Sequence, residues 1–306
     1  MKIYVAGHRG LVGSAIVRAI EVGKEHSWIG QSRQQLDLLD RKAVFEYVAN
    51  ERPDWVIIAA AKVGGIHANS TYPVEFLSEN LQIETNLIDA CHAANIEKVL
   101  FLGSSCIYPK MCPQPIKEEY LLSGPLEPTN EAYALAKISG LKLISAYRKQ
   151  YGHKWISAMP TNLYGPGDNF DLENSHVVPA MIHKFHDAMV SGATSVTLWG
   201  SGTPRREFLY ADDLATACLH LLDNYNGDAP INVGTGVDVS ISELSESIAS
   251  VVGFAGKVLW DTSKPDGTPR KLLDVSRLRS TGWASSMSLE AGLNSTYMWY
   301  RSQLDQ

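Results

Sequence analysis

Tyr133 and Lys137 stand four residues apart in Tyr133-Ala134-Leu135-Ala136-Lys137, a spacing that puts two side chains on one face of a helix. An ammonium beside a phenol favours the phenolate and pulls down a pKa that starts near ~10. A tyrosine tuned in this way can hand a proton to a carbonyl oxygen as hydride reaches the carbon. The pair alone proves little, because Tyr-x-x-x-Lys is common on surface helices. Its place in the chain is more telling, since it follows a strand-like run ending Leu102-Gly103-Ser104-Ser105-Cys106. Ser104 would then lie at the carboxyl edge of an open α/β sheet, where ligands bind, with its hydroxyl on the same carbonyl.

Gly7-His8-Arg9-Gly10-Leu11-Val12-Gly13 follows the first strand-like run and opens a helical pattern. Glycines permit a tight turn, close backbone approach to a pyrophosphate and tight helix packing, and a helix N-terminus adds positive partial charge. Gly7, Arg9, Gly10, Leu11, Val12 and Gly13 are therefore the expected dinucleotide cradle. The spacing differs from Gly-x-Gly-x-x-Gly, and a plain glycine-rich turn could produce it; the strand–turn–helix context favours binding. The second strand chooses the cofactor, a carboxylate there suiting a ribose 2′-hydroxyl and an arginine a 2′-phosphate. This one ends Gly30-Gln31-Ser32-Arg33, so Arg33, with Arg9 nearby, points to NADP(H). Asp37 and Leu38 are placed to meet the adenine edge.

The elements needed to hold these groups are readable from periodicity. Strands are expected over Lys2–Ala6, Trp28–Gln31, Trp55–Ala61, Lys98–Leu102 and Trp155–Met159. Helices are expected over Gly13–Val22, Arg41–Asn50, Glu75–Ala94 and Glu131–Tyr151. That rhythm predicts a Rossmann-type, doubly wound parallel sheet, with a smaller α/β lobe for substrate where Gly and Pro break up the pattern after Leu163. The expected division is 1–165 for the cofactor domain, rejoined by about 206–238, with 166–205 and 239–306 forming the lobe. The 306 residues suffice for a substantial core, and 45% hydrophobic with 20% charged residues is ordinary for a globular chain. A net charge of −6 argues against nucleic acid as a partner. No run is long and apolar enough for a bilayer, and the strand-like opening predicts no secretory leader. Cys91, Cys106, Cys112 and Cys218 show no metal-site spacing; they read as reduced thiols of a cytoplasmic protein, and no metal is expected.

The glycine loop, the serine strand, Tyr-x-x-x-Lys, Asn162-Leu163-Tyr164-Gly165-Pro166 and Arg206-Glu207-Phe208-Leu209-Tyr210-Ala211-Asp212-Asp213 come in an order that resembles the extended short-chain dehydrogenase/reductases over essentially the whole chain. Gly7–Gly13, Ala59–Ile66, Gly103–Lys110, Pro160–Asn169 and Ser263–Asp274 are similar to one branch, the GDP-L-fucose synthases. The resemblance implies 3,5-epimerisation and NADPH-dependent 4-reduction of GDP-4-keto-6-deoxy-D-mannose to GDP-L-fucose. It implies catalytic roles for Ser104, Tyr133 and Lys137, and gives acid–base work to Cys106 and His176. It also implies cofactor contacts from Lys137, Pro160, Asn162, Leu163 and His176, and a homodimer. The chemistry agrees: a 4-keto group acidifies the hydrogens on C3 and C5, and inverting each centre needs a base on one face and an acid on the other. Without the resemblance, Cys106 reads as a small buried residue and His176 as a loop histidine.

A sugar nucleotide needs cations for its diphosphate and a surface for its base. By resemblance Arg206 clamps the diphosphate, with the forked geometry that suits phosphate, and Lys184, Trp199, Asp266 and Lys271 line the pocket. The bland alternative for each charge is a solvated side chain. Two rivals remain at this stage. Another nucleotide-sugar epimerase or dehydratase has the same framework, but a 4,6-dehydratase is expected to carry an acidic residue beside Ser104, and a 4-epimerase has no need of Cys106 and His176. A non-catalytic NADP-binding module would not need to keep both Tyr133 and Lys137.

Overall fold

The computed structural model describes residues 1–172, 175–264 and 266–304, the side chains of Ile66 and His67 excepted. Pro265, within one of the runs that carry the resemblance, lies outside the described residues. Six parallel strands form the main sheet: β1 (Lys2–Ala6), β2 (Ser27–Ile29), β3 (Trp55–Ile58), β4 (Lys98–Leu102), β5 (Ile156–Pro160) and, late in the chain, β9 (Ile231–Val233). Their order is β2-β1-β3-β4-β5-β9. Ile3–Ala6, Trp55–Ile58 and Val99–Leu102 are wholly buried, as strands covered by helices on both faces must be. The covering helices of this half are α1 (Leu11–Gly23), α2 (Arg41–Glu51), α3 (Ile66–Thr71), α4 (Pro73–Ala93) and α5 (Glu131–Tyr151). The chain steps from β1 to β2 on one side and then crosses to β3 on the other. The gap between β1 and β3 is thus the switch point at which such sheets bind ligands, and the glycine loop opens into it.

β6 (Asn162–Tyr164), β8 (Arg205–Tyr210), β10 (Asp238–Ser240) and β12 (Arg270–Lys271) make a second sheet around β8, while β7 (Ser195–Trp199) pairs with β11 (Lys257–Asp261). α6 (Val177–Val190), α8 (Ile241–Val252) and α10 (Leu289–Leu304) close over this part, around a separate apolar cluster that includes Ile182, Phe185, Leu244, Ile248 and Leu293. α8 starts on a reciprocal cap in which Ser240 and Glu243 satisfy each other's backbone N–H. Within 206–238, β8 pairs in the second sheet, whereas α7 (Ala211–Asn224) packs against α1 and β9 pairs with β5. Within 239–306, Leu273, Val275 and Leu278, the last on the short helix α9 (Ser276–Ser280), pack with Trp283 into the first cluster.

The strands β1 and β4 and the helix α5 have the expected limits. β2 is shorter than expected: Gly30 and Gln31 lie beyond it, because the His8 ring packs where a Gly30 side chain would stand. β3 stops at Ile58, since Ala59 and Ala60 run against Gly7, where an added Cβ would come within 2.7 Å of the Ala60 nitrogen. β5 begins one residue later than expected and ends on Pro160. α1 and α4 begin two residues early, α4 on Pro73, a residue suited to a first helical turn.

Gly7 has φ +88°, a region open to glycine, and its carbonyl accepts from Gly10 N at 3.0 Å. An added Cβ on Gly13 would stand 2.0 Å from that carbonyl oxygen, whereas one on Gly10 would stand 3.6 Å away. Gly13→Ala is expected to destabilise by ~1–3 kcal/mol or more through backbone displacement. Gly10→Ala should cost under about 1 kcal/mol. Urea unfolding of the two variants beside the parent checks the difference.

Candidate active site

Around the glycine loop, Leu11 and Val12 open α1 over the switch point. Arg9 and Arg33 are both exposed and take part in no ion pair among the described residues, as suits cations awaiting phosphate. The bare backbone at Gly7 and Gly13 and these two guanidinia fit a phosphorylated dinucleotide. Asp37 Oδ1 accepts from Leu39 N at 3.0 Å, which shapes the turn after β2. Asn86, buried on α4, donates to the Leu38 carbonyl at 2.9 Å and anchors that turn. Pro160 closes β5, and Asn162 and Leu163 open β6 beside it; Asn162 Nδ2 donates to the Glu207 carbonyl at 2.8 Å.

Ser104 stands in extended backbone just past β4. Its Oγ accepts from Cys106 N at 3.2 Å, and the Ser104 hydroxyl stands near enough to the Tyr133 phenol to act on its pKa. The sequence placed these three groups together, and they are together. The expected depression of the phenol by Lys137 is not found. Burial pushes the Tyr133 pKa well up, with the nearby Cys106 and Glu84 adding to it and the Ser104 hydroxyl opposing. The Lys137 ammonium is engaged elsewhere: it lies 3.0 Å from Glu84 Oε1, donates to the Leu102 carbonyl at 3.0 Å, and is 5.9 Å from the Tyr133 ring centre. The phenol is thus firmly protonated.

Cys106 begins the cleft between the sheets, whose walls include Lys110, Gln114, Glu127 and Lys271. Lys271 Nζ donates to Cys106 Sγ at 3.5 Å, setting a positive charge beside any negative charge that forms on sulfur. His176 is the N-cap residue of α6 and keeps an exposed surface. The protein around it nevertheless excludes water enough to lower its pKa below the usual imidazole value. Among the described residues it bonds none of Ser104, Cys106, Tyr133 or Lys137.

The cationic edge is sorted by strand alternation. β12 runs parallel to β8, with Arg270 opposite Arg205 and Lys271 opposite Arg206. Arg205 and Arg270 share one carboxylate, that of Asp238, which holds its pKa below the usual carboxylate range despite burial. Arg206 and Lys271, on the other face, form no ion pair among the described residues. Like charges directly opposed repel, so an anion between them is the natural complement. Arg206 Nη1 donates to the Arg205 carbonyl at 2.8 Å, and Asp266 and Glu127 lie close enough to act on its charge. Asp266 itself binds Ser201 N at 2.7 Å and Ser201 Oγ at 2.8 Å, so it shapes the turn after β7. Trp199, 65% exposed at the end of that strand, has Lys184 Nζ 5.7 Å and Lys264 Nζ 5.4 Å from its ring centre.

A family model described as the NAD dependent epimerase/dehydratase family matches residues 3–234. The chain belongs to this family. It is 56% identical to GDP-L-fucose synthase 1 of Arabidopsis thaliana over 299 residues, covering 98% of this chain and 93% of that one. It is 53% identical to GDP-L-fucose synthase of Escherichia coli over 314 residues, covering 100% and 98%. A GDP-L-fucose synthetase from Naegleria fowleri bound to NADP superposes with TM-score 0.92 at 30% identity, covering 100% and 95%. A nicotinamide cofactor and a GDP-sugar ligand are therefore part of the biology of this epimerase/dehydratase-family chain.

Sequence reasoning missed three groups of this site: Asn86, Glu84 and Lys264. The first two sit in a helix that reads as ordinary core, and only their being polar on its buried face signals them. Lys264 lies in a loop without periodicity. Removing the cation beside sulfur in Lys271→Met should slow alkylation of Cys106 by iodoacetamide by about threefold or more at neutral pH, as measured by mass spectrometry of the Cys106 peptide.

Proposed function

We propose that this chain binds NADPH and GDP-4-keto-6-deoxy-D-mannose in the cleft between its two sheets, inverts C3 and C5 of the sugar, and reduces C4 to give GDP-L-fucose. The observation that carries this reading is the meeting, in one cleft, of Ser104 and Tyr133 with Cys106 and Lys271, in a chain more than half identical to curated GDP-L-fucose synthases. Arg9 and Arg33 would hold the 2′-phosphate that separates NADPH from NADH. Arg206, helped by Lys271, would take the diphosphate, and Trp199, Lys184 and Asp266 the remainder of the nucleotide sugar. We further propose a cofactor body of 1–165 rejoined by α7 and β9, a substrate lobe for the rest, and a homodimer. The four free cysteines suit a reducing compartment such as the cytoplasm; among the described residues no helix is long and apolar enough to cross a membrane.

With the ketone polarised by hydrogen bonds from Ser104 and Tyr133, C3 and C5 become acidic, and Cys106 and His176 serve as the acid–base pair that moves protons at those carbons. The bound reduced nicotinamide supplies the hydride for C4. Tyr133 gives its phenolic proton to O4, a task for which a firmly protonated phenol is the right starting state. His176, its pKa lowered by burial, stays neutral further into acid than a free imidazole.

NADPH consumption with GDP-L-fucose as product is the expected result when purified protein meets GDP-4-keto-6-deoxy-D-mannose and NADPH. Tyr133→Phe should lose reduction while still exchanging the C3 and C5 protons with deuterated solvent. Cys106→Ser should still reduce but release sugar that has not been epimerised. Reduction without epimerisation by the parent would sink the Cys106 and His176 assignment. A direction for pH follows as well: the exchange rate should hold steady through the ordinary imidazole range and decline only below ~6.5, as a deuterium-exchange profile against pH would show.

A further inference from the structure

Glu84 stands in the site without a role in the chemistry proposed above. It lies on α4, 1% exposed, and its carboxylate meets Lys137 at 3.0 Å with both side chains sealed, 2% and 3% exposed. The Lys137 ammonium is held from three directions: by Glu84 on α4, by the Leu102 carbonyl at 3.0 Å, and by the face of Phe101 at 4.8 Å, both on β4. The neighbouring helix is shaped to admit the carboxylate. Gly140, three residues after Lys137 on α5, has no side chain where a Cβ would stand 2.6 Å from Glu84 Oε2 and 2.5 Å from Phe101 Cζ. Neither Glu84 carboxylate oxygen has a hydrogen-bond partner among the described residues, so the ion-pair contact with Lys137 alone compensates this charge. Burial correspondingly pushes the Glu84 carboxyl above its usual range against the pull of Lys137.

A sealed ion pair of this kind is an expensive way to stabilise a fold, since apolar side chains of like volume often do as well or better. Its use lies in what it fixes. An ammonium has three N–H donors; the Leu102 carbonyl takes one, and the Glu84 carboxylate stands at ion-pair distance on another side, so the position of the nitrogen behind Tyr133 is fixed by two separate elements. We propose that Glu84 is a positioning residue for the reductive half-reaction: its carboxylate fixes where the Lys137 ammonium sits behind Tyr133. This rests on the assignment of reduction to Tyr133 and Lys137. Among the described residues, the groups facing Lys137 are Glu84 from α4, Tyr133 from its own helix, and Phe101 with the Leu102 carbonyl from β4. Glu84→Gln removes the counter-charge and leaves the ammonium held by the Leu102 carbonyl and the Phe101 face alone.

The test compares parent and Glu84→Gln as full chains, measuring NADPH-dependent turnover and, separately, solvent-deuterium exchange into the keto sugar. Expected for Glu84→Gln are a fall in kcat for reduction of about tenfold or more, with KM for the sugar and the exchange rate within about twofold of parent. Parent-like kcat overturns the role of Glu84, as do equal losses of exchange and reduction. If Glu84→Gln does not fold, Glu84→Asp decides: reduction slowed with exchange intact supports positioning, and equal losses of both overturn it. A parent that does not reduce the keto sugar at all would instead refute the functional reading beneath.

Discussion

Glu207 has no solvent exposure, and it sits where the two sheets meet. Its Oε1 accepts from Gly236 N at 2.6 Å and its Oε2 from Leu273 N at 2.9 Å. Its main-chain carbonyl accepts from Thr161 Oγ1 at 3.2 Å and Asn162 Nδ2 at 2.8 Å. One residue therefore ties together the crossing from β5 to β6, the exit from β9 and the exit from β12. A carboxylate buried without donors would be costly; burial does push the Glu207 carboxyl up, and the N–H groups around it pull the other way. Glu207 leaves Arg206 and Phe208 on either side of it along β8, so the seam and the cation edge are one construction. Neither the position of Lys271 against Cys106 nor that of Arg206 over the cleft has meaning without it.

The division of labour in the cleft follows the division of the fold. Ser104, Tyr133 and Lys137 all come from β4 and α5, rigid parts of the first apolar cluster, and their geometry is set within the main sheet. Cys106 leaves that sheet on a short turn and is met by Lys271 from the second sheet. His176 comes from the second half altogether, at the start of α6. The groups proposed for hydride-linked chemistry are thus fixed by one body, while those proposed for proton transfer at carbon are assembled from both. A high phenol pKa and a low imidazole pKa are caused by the same thing, exclusion of water, acting on acids of opposite charge type.

Much of this could be read from the residues alone. β1, β4 and α5 have the limits expected from their apolar runs and periodicity, because the two strands are almost wholly buried and the helix buries one regular face. Ser104 and Tyr133 followed from motif order and Cys106 only from the family resemblance, and the three are neighbours. The pairing of β8 with β6, β10 and β12 was not legible, since strands of two and three residues carry too little alternation to announce a partner. The phenol was misjudged for a related reason. Spacing places Lys137 on the face of Tyr133, but it cannot reveal that a carboxylate from a different helix claims the ammonium. Glu84 lies on another helix, far from Lys137 in the chain, and only its polarity on a buried face marks it.

The two cations of β12 carry a further implication. A strand of two residues has no apolar stripe to fix its alignment, and a slip of one position would turn each side chain to the opposite face. Such a slip here would bring Lys271 under Asp238 and expose Arg270 to the cleft, and the carboxylate now shared by Arg205 and Arg270 would lose its forked partner. Asp238 therefore acts as a keyhole for alignment: it accepts the strand in one frame and so decides which of two adjacent positive charges faces Cys106 and the cleft.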